Sequence, residues 1–177
     1  MYNEFKRALY ADLNRYTKDE KTSYIKKLHY YLRGAHYTKN KLLQLYFRYR
    51  LKSIREKHGL EISYTCEIGD GIYFGHPYNI TINEDAVLGK NINIHKGVTI
   101  GQENRGPRKG APIIGDRVWI GINSVIVGKI VIGDNVLIAP NTFVNCDIPR
   151  NSVVFGNPCV IKPSEYATEG YINRTVN

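Results

Sequence analysis

Two histidines and one basic loop are the parts of this sequence whose residue types and spacing could do chemistry. His76 stands in Gly75-His76-Pro77-Tyr78-Asn79. An imidazole titrates near neutrality, so it can take a proton from a hydroxyl and later give it up. His95 stands in Asn93-Ile94-His95-Lys96. The stretch Gln102–Ala111 holds Arg105, Arg108 and Lys109, charges suited to phosphates or an anionic acceptor. The cysteines, Cys66, Cys146 and Cys159, have no paired spacing, which leaves neither a disulfide framework nor a zinc pattern.

What must position these residues is a repeat with a period of six. The column runs Ile62, Ile68, Phe74, resumes at Ile82, Leu88, Ile94 and Ile100, and continues from Ile114 through Ile120, Ile126, Ile132 and Ile138 to Val144. Small or aliphatic residues recur four places later, at Cys66, Ala86, Val98, Val118, Ser124, Val136 and Thr142. Glycine often follows the column, as at Gly69, Gly75, Gly89, Gly101, Gly115, Gly121 and Gly133, and is expected to supply the backbone angles of a corner. Such a hexad makes one short strand and one corner of a parallel β-helix, three hexads to a coil, with coils about 4.8 Å apart. From Phe74 to Ile82 the step is eight residues, a two-residue bulge around His76. From Ile100 to Ile114 it is fourteen, which sends Gln102–Ala111 off the prism as a loop. A solenoid places its insertions where it binds, so both breaks are expected to serve one functional region. Only His76 and His95 fall within the repeats, too few for a catalytic zinc held by three histidines, and no metal is expected.

The chain of 177 residues has room for one core with an appendage. Its expected parts are a basic helical region over 1–58, the β-helix over 59–162 with its bulge at 74–82 and loop at 102–111, and a polar, irregular tail over 163–177. Residues 1–58 hold 15 Lys/Arg against 5 Asp/Glu and nine of the fourteen tyrosines; the rest holds 10 against 11. Helices are expected over 2–16, 19–33 and 40–57, the second started by a Thr17–Glu20 capping box and stopped at Gly34, the third ended by Gly59. Leu42, Leu45, Tyr46, Tyr49 and Ser53 share one face of the third. This region reads as a cap on the solenoid end, separable from the chemistry, or as a surface for an anionic membrane leaflet or polymer. No nucleic-acid motif accompanies the charge. No apolar run has signal or membrane-spanning length, so the expected location is the cytoplasm, with the inner face of the membrane as the place where the basic region would act.

The hexads, Gly75–Asn79, Val98–Gly101, the Gly/Arg-rich loop and Gly156-Asn157-Pro158 together resemble the hexapeptide acyltransferases, in particular their serine-acetyltransferase-like branch. Ala11–Tyr16 and Gly59–Ile62 are similar to that branch as well. The resemblance covers about residues 59–162, and serine acetyltransferases have a much longer helical region than the 58 residues here. It implies a left-handed winding, a homotrimer, and acetyl-CoA bound between neighbouring prisms. It implies His76 as general base, with Glu61 at the position of the carboxylate that orients it. It places backbone groups at Gly121-Ile122 and Ala139-Pro140 against the pantetheine of acetyl-CoA; Gly101 and, by their charge, Arg105 and Lys109 of the loop are expected to bind the same donor or an anionic acceptor.

Two departures bear on the acceptor. The family's aspartate before the catalytic histidine is Gly75 here, and its second active-site histidine falls on Ala111. Loss of both groups is expected to open the acceptor side. The expected activity is therefore transfer of acetyl from acetyl-CoA to a hydroxyl of a sugar or surface polysaccharide, as in capsule synthesis. Serine O-acetylation, serving cysteine synthesis, is the alternative, and a non-enzymatic scaffold the third reading. The ending Thr175-Val176-Asn177 lacks the terminal isoleucine with which serine acetyltransferases dock onto a partner enzyme.

Overall fold

The computed structural model describes residues 2–177; Met1, the first residue of the expected N-terminal region, lies outside them. Three helices, α1 (Tyr2–Asn14), α2 (Ser23–Tyr37) and α3 (Lys41–His58), precede a parallel β-helix of about five coils. Its first face is built from Glu61–Ile62, Thr81–Ile82, Thr99–Gly101, Val125–Val127 and Phe143–Val144. The second stacks Glu67–Ile68, Val87–Leu88, Ile113–Ile114 and Val131–Ile132. The third stacks Tyr73–Gly75, Asn93–His95, Val118–Ile120, Val136–Ile138 and Ser152–Phe155, closed by the antiparallel strand Val160–Pro163. Registers follow the column: Ile62 lies opposite Ile82, and Ile82 opposite Ile100. Every column residue is buried, and so is every small residue four places on. Each large aliphatic group in such a ladder contributes about 1.5–3 kcal/mol by leaving water.

The corners differ from expectation. The glycines after the column are not the residues with left-handed backbone. That conformation falls on Asn91, Arg117, Asn123, Asn135, Asn141 and Asn151, and on Gly71 and Gly97. Asparagine tolerates it better than other side-chain-bearing residues. Several of the column glycines serve close approach of backbone to backbone instead, as at Gly69 and Gly133. A Cβ at Gly69 would lie 2.5 Å from the Gly89 carbonyl oxygen, and one at Gly133 2.5 Å from the Arg150 nitrogen. At these two, backbone meets backbone at the coil spacing and there is no room for a methyl group, whereas at Gly101 nothing lies nearer than 3.4 Å.

The helices close the open end of the first coil. Leu28, Leu32 and Ala35 of α2 and Phe47 and Leu51 of α3 continue the prism core through Leu60 and Ile62. Thr17 and Glu20 do exchange capping bonds, Thr17 N–H to Glu20 at 2.7 Å and Glu20 N–H to Thr17 at 3.3 Å, but they close a turn. Helix α2 starts later, at Ser23, capped by Thr22, whose side chain accepts from the Ile25 N–H. Gly34 does not stop α2: it lies inside it, where a Cβ would strike the Phe47 ring at 2.6 Å. Gly59 ends α3 with φ 63°. The face of α3 with Leu42, Leu45, Tyr46 and Tyr49 is exposed, Leu42 at 81%. No helix among the described residues is long and apolar enough to cross a membrane.

The first coil has a neighbouring coil on one side only, so its backbone groups on the other side need other partners. Buried side chains of the helices supply them. Asp12 accepts from the Gly71 and Ile72 N–H groups, Arg33 donates to the Ile68 and Gly69 carbonyls, and Arg15 donates to the Gly71 carbonyl. Burial alone would raise the Asp12 carboxyl, but Arg33 and His29 outweigh it and hold it below its usual range. The tail has no long regular element, yet it is bonded along the third face: Val176 pairs both ways with the Asn91 side chain, and Tyr171 accepts from Asn93.

Candidate active site

His76 sits at the corner between the third and first faces of the first coil, where the extra residues fall. It is exposed and has φ 54°; Asn79, three residues on, has φ 53°. The bulge is tied to the coil above by Lys96 N–H to the Gly75 carbonyl at 3.1 Å and Gly97 N–H to the Tyr78 carbonyl at 3.0 Å. Within it the Tyr78 N–H donates to the His76 carbonyl at 2.8 Å. From below, Asn79 N–H donates to the His58 carbonyl at 3.0 Å. Glu61 stands beside Thr81 in the register, and its carboxylate accepts from the Thr81 hydroxyl at 3.5 Å. Within one chain no hydrogen bond or ion pair joins it to His76.

His95 lies directly above Gly75 in the register. Its ring occupies the space that a side chain at position 75 would take, since a Cβ there would fall on His95 Nδ1 and Cε1. The ring packs against Trp119 at 4.7 Å and Tyr73 at 6.3 Å between centroids. Burial, and then the neighbouring His76, push its pKa down to about 4, so it is neutral near pH 7. Its Nε2 is buried without a partner among the described residues.

A cleft of about 400 Å³ opens beside His76, between the bulge and the helices. Glu20, Tyr24, Tyr73, Pro77 and Tyr78 are among its walls. Burial would raise the Glu20 carboxyl, but hydrogen bonds from Thr17 and Tyr73 outweigh it and lower its pKa, so it stays ionised. No lysine or arginine lines this cleft among the described residues. Sequence reasoning missed Glu20 and the tyrosines. The one signal was the tyrosine excess before residue 58, which says nothing about which residues reach the first coil.

The loop lies elsewhere. It leaves after Gly101, at the corner between the first and second faces, and folds into a small hairpin in which Glu103 and Gly110 exchange N–H to carbonyl bonds of 3.0 Å. Arg108 is paired with Glu103 at 3.3 Å, while Arg105 and Lys109 are exposed. The two breaks in the period therefore flank opposite edges of the first face, and one chain does not bring them together. Gly121-Ile122 and Ala139-Pro140 stack on successive coils along the same corner as His76. There Gly121 N–H donates to the Ile138 carbonyl at 2.8 Å and Asn141 N–H to the Ile122 carbonyl at 2.9 Å. Among the described residues no group of three or more His, Cys, Asp or Glu could hold a metal ion.

Residues 111–146 match the bacterial transferase hexapeptide family model of six repeats. The chain is 36% identical over 118 residues to serine acetyltransferase 2 of Arabidopsis thaliana, covering 67% of this chain and 36% of that one. It is 33% identical over 99 residues to the serine acetyltransferase of Helicobacter pylori, 56% of this chain and 58% of that one. The chain thus spans about a third to just over half the length of these curated relatives. A serine acetyltransferase of Neisseria gonorrhoeae, solved in complex with serine, superposes with a TM-score of 0.70 at 29% identity, over 90% of this chain and 69% of that one. These likenesses overturn the expectation of a sugar or surface-polysaccharide acceptor. The physical premise fails too. Gly75 does not open the acceptor side, because the His95 ring fills the space it leaves. Ala111 packs against the core at the loop corner.

Proposed function

This chain is a hexapeptide-repeat protein with a left-handed β-helix, serine-acetyltransferase-like in sequence and fold, and we propose that it transfers an acetyl group from acetyl-CoA to the hydroxyl of L-serine. The observation that carries this reading is His76: exposed, at the corner widened by the bulge, and lining a cleft. Acetyl-CoA supplies an activated acyl group as a thioester. His76 takes the proton of the acceptor hydroxyl as its oxygen bonds to the acyl carbon and the carbon–sulfur bond breaks. The imidazolium then returns that proton to the departing thiolate, so atoms and charge balance. The ionised Glu20 and the tyrosine rings of the cleft suit the acceptor's ammonium group.

The donor is proposed to lie along the corner of His76, Gly121-Ile122 and Ala139-Pro140. The ladder between coils already uses the Gly121 N–H and the Ile122 carbonyl. Contacts to a pantetheine arm therefore fall to the Ile122 N–H and the Pro140 carbonyl. Gly101, Arg105 and Lys109 sit at the other edge of the first face. They reach a donor at that corner only when a neighbouring copy supplies them, and a closed homotrimer does this with one repeated contact.

The test is thiol release from acetyl-CoA by the purified protein with L-serine. Release should depend on L-serine, and His76→Ala should slow it by about 10²–10⁴-fold. No serine-dependent release from protein that binds acetyl-CoA would sink the acceptor assignment. Undiminished turnover in His76→Ala would end the general-base role.

A further inference from the structure

The bulge that carries His76 belongs to the one coil with no coil beneath it, and two tyrosines of the helical region stand in for the missing neighbour. Tyr16 accepts from the Phe74 N–H at 2.7 Å, two residues before His76. Tyr24 donates to the Pro77 carbonyl at 2.7 Å, one residue after it. Both are anchored on their far side. The Tyr16 hydroxyl also bonds His29 Nε2 at 2.9 Å, and His29 Nδ1 bonds Asp12 at 3.0 Å. The Tyr24 ring stacks on His58 at 3.9 Å between centroids.

The two contacts differ in kind. The Phe74 N–H lies at the start of the corner, where a strand still runs. The Pro77 carbonyl lies inside the added residues, where the coil above bonds only Gly75 and Tyr78. Proline donates no N–H, so the Pro77 peptide is held through its carbonyl. Burial raises the Tyr24 pKa well above its ordinary value, which keeps the phenol a donor.

We propose that Tyr24 is a positioning residue for His76: its hydrogen bond to the Pro77 carbonyl fixes the bulge so that the imidazole meets the acceptor hydroxyl in one geometry. This rests on the assignment of His76 as general base. It also makes the helical region part of the chemistry, against the expectation that the region is separable from it.

Tyr24→Phe tests it, because the ring and its stack on His58 are kept and only the hydroxyl is removed. Turnover at saturating substrates should fall about ten- to a hundredfold, the scale of a misplacement of about 1 Å at a reacting group. KM for acetyl-CoA should stay within twofold, and melting temperature and assembly should be unchanged. Turnover within twofold of the parent would overturn the proposal. A matching loss of melting temperature or assembly would also overturn it, by making Tyr24 merely structural. His76→Ala is assayed alongside. If it keeps full activity, the general-base reading has failed. If it loses activity while Tyr24→Phe does not, only the present inference has.

Discussion

An imidazole half-buried between aromatic rings and close to a second imidazole is a poor place for a second proton. His95 is in that position, and its pKa of about 4 lies below the ordinary 6.5. The unfolded chain takes up this proton near pH 6.5, and the folded chain refuses it until about pH 4. The folded state thus binds fewer protons in that window. The stability contributed by neutral His95 is present above about pH 6.5 and is lost as pH falls towards 4. Urea midpoints measured from pH 7 to 4.5 should decline, and His95→Phe should flatten that decline. An identical slope in the variant would assign the loss to other groups. The same residue corrects the reading of Gly75. A missing side chain predicts an empty space only if nothing else can enter it, and here the coil above supplies a ring.

At the scale of the corner, asparagine and glycine divide two tasks that sequence reasoning gave to glycine alone. Gly69 is needed for approach, so Gly69→Ala should destabilise by about 1–3 kcal/mol, the cost of overpacking where backbone cannot give way. Asn141, at φ 58°, is needed for conformation. There Asn141→Gly should be nearly neutral, and Asn141→Val should cost about 1–2 kcal/mol. Denaturant unfolding of the three variants checks the division. Equal losses at Asn141→Gly and Asn141→Val would refute the conformational role. The helical cap is a second element whose work is specific. Its buried charges Asp12, Arg15 and Arg33 meet the open hydrogen-bonding edge of the first coil, so part of the basic excess before residue 58 serves the fold and does not face solvent.

For the whole molecule, the separation of the two breaks in the period is the decisive fact. The His76 corner and the loop corner lie on opposite edges of one face, so a donor touching both must span two copies. The protein should therefore run as a closed trimer of the 20.2 kDa chain. Light scattering at micromolar concentration checks this, and a particle of one chain's mass would reject it.

The prism was legible in the period alone. A period of six with one aliphatic and one small position leaves a single arrangement that buries both, and the buried column matches it residue for residue. It also placed the bulge that carries His76 at a corner, because an insertion in a strict repeat leaves the prism there. It could not decide what surrounds His76. Glu20 and Tyr24 are distant in sequence, and nothing periodic ties them to the bulge; they meet it only because α2 packs on the open coil. Three hexads to a coil already stack His95 over Gly75 and put the loop at another corner than the bulge. What the period could not tell is that the His95 ring would turn into the space above Gly75, because the direction of a side chain is set by its neighbours in the tertiary structure.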